Sequence, residues 1–160
     1  MKLEYHKELR DAIKNSIPEM RFVGYFNDQY NKESQSEAID DPSCLLSYKP
    51  QDIMDVGGGL GIQKYKLLVT AYISITNMKD AGEEILDFAE KVNKIMHTFV
   101  PSDSLKTFGK LMRVDERPNF DHDQRIVHEI DYLVEVIDNT CDKRYTKEVT
   151  ATPVVTATYQ

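Results

Sequence analysis

Long apolar runs are the first thing this chain lacks. None approaches the roughly 18–20 residues needed to cross a bilayer. The opening MKLEYHKELRDAIK alternates charge with apolar residues, where a signal peptide would be continuously apolar. The expectation is a protein without membrane contact, made in and staying in the cytoplasm of its cell. Cysteine is scarce too: Cys44 and Cys141 lie far apart with no CxxC context, so neither a disulfide framework nor a zinc site is indicated. Two free, partly buried thiols are expected instead. Positive charge is also short. Twenty Lys and Arg against 27 Asp and Glu give −7, which argues against a general nucleic-acid-binding surface.

What is present fits one soluble α+β domain. The 160 residues are 41% hydrophobic and 29% charged, enough for a single compact core. The acid is concentrated. Asp115, Glu116, Asp121, Asp123, Glu129, Asp131, Glu135 and Asp138 face only Arg117 and Arg125 between 115 and 138. The end of the chain, with Lys143, Arg144 and Lys147 against Asp142 and Glu148, is faintly basic.

Periodicity predicts a helix over 3–16, with Leu3, Leu9, Ala12, Ile13 and Ser16 on one side and Pro18 ending it. Strands follow at 20–27 and 43–49, separated by a polar loop at 29–42. Residues 50–63, bounded by Pro50 and rich in glycine, read as a second loop. The clearest strand is 64–76, with Leu67, Val69, Ala71, Ile73 and Ile75 on one face. A helix over 80–98 is expected, capped by Asn77 or Asp80 and closed by Pro101. A moderate strand over 105–114 has Phe108, Met112 and Val114 in phase. The last strand, 125–137, alternates Ile126, Ile130, Tyr132, Val134 and Val136 with a wet face of Arg125, Glu129, Asp131 and Glu135. The order α-β-β-β-α-β-β implies an antiparallel or mixed sheet of about five strands with two main helices. One domain over 1–138 and an extended arm over 139–160, interrupted by Pro153, complete the expectation.

No motif rises to a catalytic constellation. A calcium loop from Asp121 would need glycine and glutamate where Ile126 and Tyr132 stand. In an extended segment Asp121 and Asp123 share a side while His122 faces away, and His128 falls in phase with apolar neighbours. GGGLG at 57–61 misses the dinucleotide fingerprint at Ile62 and leads into a strand, so it reads as a flexible turn. No enzymatic role, cofactor or metal is expected from these residues.

The order of elements nevertheless resembles a known family. LEYHKELRDAIKNSIPEM runs into RFVGYFNDQYN. DPSCLLSYKP precedes a loop, KYKLLVTAYISIT leads into AGEEILDFAEKVNKIMHTF, and KTFGKLMRVDERPNFDHDQRIVHEIDYLVEV closes the pattern. Over about residues 3–138 this resembles the tail-terminator (tail-completion) and head–tail connector proteins of tailed bacteriophages. The resemblance implies a structural virion protein made in a bacterial cytoplasm. It would form a hexameric or dodecameric ring at the head–tail junction or tail end, touching itself, a portal or adaptor, and a tail protein, with no sequence-specific nucleic-acid binding. Expected contact residues are Asp52, Ile53, Met54, Gly57, Gly58 and Gly59 in the loop, and Val149, Val154, Val155 and Tyr159 in the arm. Asp121, Asp123, Glu129 and Asp131 are expected to face a DNA channel, where an acidic wall would repel the passing duplex. The rival expectation is a metal-dependent hydrolase or nuclease using Asp121, Asp123 and His128, and a weaker one is a small monomeric cytosolic adaptor.

Overall fold

The computed structural model describes residues 2–27, 39–76, 81–102, 105, 107–119 and 125–139. Its elements run α1 (Lys2–Ser16), β1 (Phe22–Tyr25), β2 (Ser43–Asp55), β3 (Gln63–Thr76), α2 (Ala81–Met96), β4 (Met112–Asn119) and β5 (Arg125–Asp138). The expected α-β-β-β-α-β-β order and α+β class hold. The strands form one mixed sheet in the order β1-β2-β3-β5-β4, in which β1 runs parallel to β2 and every other pairing is antiparallel.

Both helices lie on one face of the sheet. Leu67, Val69, Ala71, Ile73 and Ile75 of β3 pack there with Cys44 and Leu46 of β2 and Ile130, Tyr132, Val134 and Val136 of β5. From above, α1 contributes Tyr5, Leu9 and Ile13, and α2 contributes Ile85, Phe88, Ala89, Val92 and Met96. Fully burying each of the larger aliphatic side chains contributes about 1.5–3 kcal/mol. Glu83 and Glu84 in the first turn of α2, and Lys94 in its last, suit the helix dipole. Tyr5 lies flat on Phe108, with centroids 4.3 Å apart, and meets the edge of Phe99. Cys44 is buried in this core, and its thiol is pushed up to about 12 by the loss of solvent. It is a free thiol, as expected, but wholly buried where partial burial was expected, and packs as a small hydrophobe; Cys141 lies outside the described residues.

Several sequence expectations are corrected here. Leu3, placed on the apolar side of α1, points outward, and Tyr5 takes the inward position with Leu9 and Ile13 at four-residue steps. Residues 50–55 are strand, not loop: β2 continues through Pro50, opposite Leu67. Because β1 pairs β2 no further than Leu46, β2 has an open edge at Pro50, where a missing N–H is tolerated. The expected strand over 105–114 starts later and runs into the acidic stretch. Phe108 makes only an isolated bridge to Val136, and Gly109 donates its N–H to the Glu135 carbonyl. Met112 and Val114, expected inside, are exposed, because β4 is an edge strand that bares both faces. Of the expected caps of α2, Asn77 and Asp80 lie outside the described residues.

Candidate functional site

The end of the sheet formed by β2, β3 and the turn between them leaves four large apolar side chains exposed. β2 carries an extra residue there: Gln51 opposes Lys66 and Met54 opposes Lys64, so Asp52 and Ile53 share the space opposite Tyr65. Asp52 takes a left-handed φ of 50°, a conformation that its short polar side chain tolerates. Such a bulge bends the strand and re-aims its side chains. Ile53, Met54 and Val56 are each more than half exposed, at 58, 55 and 53%. Leu60, across the turn, is exposed as well.

The turn itself is ordered by local hydrogen bonds. Val56 donates its N–H to the Ile62 carbonyl, Leu60 donates to Gly57, and Gly57 donates to the Asp55 carboxylate. Gly58 and Gly59 have φ of 59° and 84°, successive left-handed values that glycine adopts at no steric cost. The residues expected to make contacts in this segment, Asp52, Ile53, Met54 and Gly57–Gly59, therefore sit together on one protruding hairpin. Sequence reasoning missed Val56 and Leu60. Their signal was present: two large apolar residues flanking a glycine turn, with no partner strand in reach. Val149, Val154, Val155 and Tyr159, the expected arm contacts, lie outside the described residues.

The acidic segment is built differently from what its composition implied. Glu129 and Asp131, assigned to a wet face, are only 7 and 8% exposed. They lie on the helix-free face of the sheet, where Arg117 from β4 reaches across to both. Its guanidinium is 2.7 Å from Glu129 and 2.6 Å from Asp131. The Thr70 hydroxyl donates to Asp131 at 2.6 Å, and the Asn119 amide donates to Glu129 at 2.6 Å. Hydrogen bonding to Asp131 raises the Arg117 pKa further above its ordinary value. Of the four acids expected to face a channel, Glu129 and Asp131 are thus buried beside the one guanidinium of Arg117; Asp121 and Asp123 lie outside the described residues.

A second polar knot sits at the far end of the same face. The Arg125 guanidinium donates to Asp41 at 2.7 Å, to the Ile39 carbonyl and to the Ser74 hydroxyl. Asp41 also accepts from the hydroxyls of Ser43, Ser74 and Thr76. A small apolar cluster of Ile39, Leu45 and Val127 lies beside it, with Phe26 and Tyr72 stacked at 4.0 Å.

His128, one arm of the hydrolase expectation, is buried at the rim of the helix-covered face, and its Nε2 lies 2.8 Å from Glu116. Among the described residues, no group of three or more His, Cys, Asp or Glu is placed to hold a metal ion. No helix among them is long and apolar enough to cross a membrane.

No family model matches this chain, and no curated protein matches it at a significant level.

Proposed function

We propose that this protein is a non-enzymatic structural subunit of a ring at the head–tail junction or tail end of a tailed-phage particle. The observation that carries the reading is the β2–β3 hairpin. It is a hydrogen-bonded knob that leaves the side chains of Ile53, Met54, Val56 and Leu60 exposed within one short segment. A helix-covered, well-packed body with a bare apolar arm is the division of labour that an assembly subunit needs. The resemblance in element order to tail-terminator and connector proteins supplies the class of assembly, with itself, a portal or adaptor, and a tail protein as partners.

Native mass measurement on the full chain tests the reading. A closed assembly of fixed mass is expected, together with its loss in Ile53→Asp/Met54→Asp while the melting curve of the variant stays unchanged. A chain that is monomeric at every concentration removes the ring. In the particle itself, omission of the chain is expected to leave heads and tails unjoined in electron micrographs; intact particles would remove the virion assignment.

A further inference from the structure

The outer side of β2 loses its partner early. β3 follows β2 from Ser43 to Asp55, but β1 accompanies it only from Ser43 to Leu46. Burial ends at the same place: Ser43 to Leu46 are buried, and exposure rises from there to Asp55. Phe26 makes the last outer contact, donating its N–H to the Leu46 carbonyl. Backbone groups turn alternately to the two neighbours of a strand, so the next to face outward are the Tyr48 N–H and C=O and the Pro50 C=O. None of these has a partner among the described residues.

A cavity of about 470 Å³ opens at this same edge, on the helix-covered side of the sheet. Tyr48, Tyr25 of β1, and Leu3 and His6 of α1 line it. The two tyrosine rings are nearly parallel, at 12°, and His6 Nδ1 lies 2.9 Å from the Tyr48 hydroxyl. Edge and cavity form one feature, a place for a missing strand and the space for its side chains.

The chain carries a segment that suits it. β5 ends at Asp138 opposite Gln63, and Gln63 lies opposite Asp55, so the chain leaves the sheet at the end where β2 is unaccompanied. β2 and β5 both run antiparallel to β3, so a segment turning back from Asp138 runs antiparallel to β2. The position outside β2 is three strand spacings from β5, about 14 Å at ~4.8 Å each, which residues 140–153 span with ease. Val154 to Tyr159, VVTATY, are β-branched and aromatic, and Pro153 before them is tolerated at the start of a strand. In an extended segment Val155, Ala157 and Tyr159 share one face.

We infer that residues 154–159 add a strand to the open edge of β2 in the same copy, antiparallel to Tyr48–Ile53, with Tyr159 beside Tyr48 in the cavity. Ala157 then donates its N–H to the Pro50 carbonyl, and Tyr159 exchanges hydrogen bonds with Tyr48. Pro50 and the bulge after Gln51 shorten the ladder that an incoming strand can make, so pairing with a free partner is weak. A tether raises the local concentration of the segment to about the millimolar range, which favours the copy's own residues. The hairpin tip from Met54 to Leu60 stays outside this contact, so the inference goes beyond the ring reading and does not rest on it. Val154, Val155 and Tyr159 move from the expected neighbour contact to a place within the subunit.

Hydrogen exchange and a cross-link test the contact. In the full chain the amides of Tyr48, Ala157 and Tyr159 are expected to exchange slowly. Truncation after Pro153 is expected to speed exchange at Tyr48 on the order of tenfold, while Val69 and Ile130 in the middle of the sheet keep their rates. The pair Lys49→Cys/Thr158→Cys, in a Cys141→Ser background, puts two thiols directly opposite each other with Cα atoms about 4.5–5.5 Å apart, a spacing that a disulfide bridges. Mild oxidation is expected to close it within one chain, in the same yield at every protein concentration. This second variant decides the matter by itself if the truncated chain does not fold. Free exchange at Tyr48 in the full chain overturns the contact. Slow exchange that truncation leaves unchanged does so too, because another segment then covers the edge. A link that forms only between chains places the segment of a second copy there and overturns the assignment to the same copy. A closed ring with free exchange at Tyr48 keeps the ring reading and removes this contact; an intrachain link in a chain that stays monomeric does the reverse.

Discussion

The two faces of the sheet are held by different forces. On the helix-covered face a continuous apolar cluster joins α1, α2 and four of the five strands, and stability there scales with area removed from water. On the other face, two charged knots and a cluster centred on three side chains do the same work with far less apolar surface. The first face tolerates neighbours of any sequence that keep the volume. The second depends on named partners. Charges taken out of water are stable only while they remain paired and hydrogen-bonded.

Substitutions on the two faces separate these regimes. The largest effect is expected from Ile73→Ala in the middle of β3. It opens a cavity in the apolar cluster and should lower stability by about 2–5 kcal/mol in denaturant unfolding. On the other face, Arg117→Met is expected to cost about 2–3 kcal/mol, below the roughly 3–5 kcal/mol of a fully buried pair because the guanidinium is itself nearly half-exposed. If Arg117→Met were neutral, the second face would be a solvated surface and the contrast would fail.

Tyr5→Phe runs in the opposite direction. The Tyr5 hydroxyl is buried with no hydrogen-bond partner among the described residues, and burial raises its pKa well above the usual phenol range. Removing it should raise stability by about 1 kcal/mol, the desolvation cost of an unmet polar group. A loss would mean that the hydroxyl has a partner, and that polarity enters the apolar face after all.

The smallest effect is the pH response of His6, at the open margin of the apolar face. Its pKa is lowered, first by burial and then by Arg10, with Asp11 opposing. Lys2 and Lys7 of α1, Tyr25 of β1 and Tyr48 of β2 are the other titratable groups around its cavity. With the folded value below the unfolded one, the unfolded chain takes up the proton first. Stability from this site is then constant above the ordinary histidine value of 6.5 and falls as the pH drops through it. His6→Gln should flatten that part of the melting-temperature profile; an unchanged slope would place its origin in another group.

Much of the helix-covered face was legible in the chain. Leu67, Val69, Ala71, Ile73 and Ile75 recur at every second position, and the stripe from Ile85 to Met96 keeps three- and four-residue steps, so local period and buried face coincide. The exchange of Leu3 for Tyr5 was not legible. Both fit a helical stripe, and only the stacking of Tyr5 on Phe108 selects between them. β4 was hidden for a related reason. MRVDERPN has no buried face to impose a pattern, because its partner on one side is β5 and on the other side nothing among the described strands.

The sequence by itself determined the class, the order of elements and the apolar face, because hydrophobic period is a local property that each element carries alone. It also marked the glycine hairpin as a special place. Only the tertiary structure decided that 50–55 is a strand with a left-handed bulge, and that an aromatic cavity opens between α1 and the sheet edge. It also decided the fate of Glu129 and Asp131. Their burial depends on Arg117, twelve and fourteen residues earlier in the chain and adjacent only once β4 pairs with β5. A charge reads as solvated in a sequence until its partner is brought beside it, and pairing of that kind is a property of the sheet as a whole.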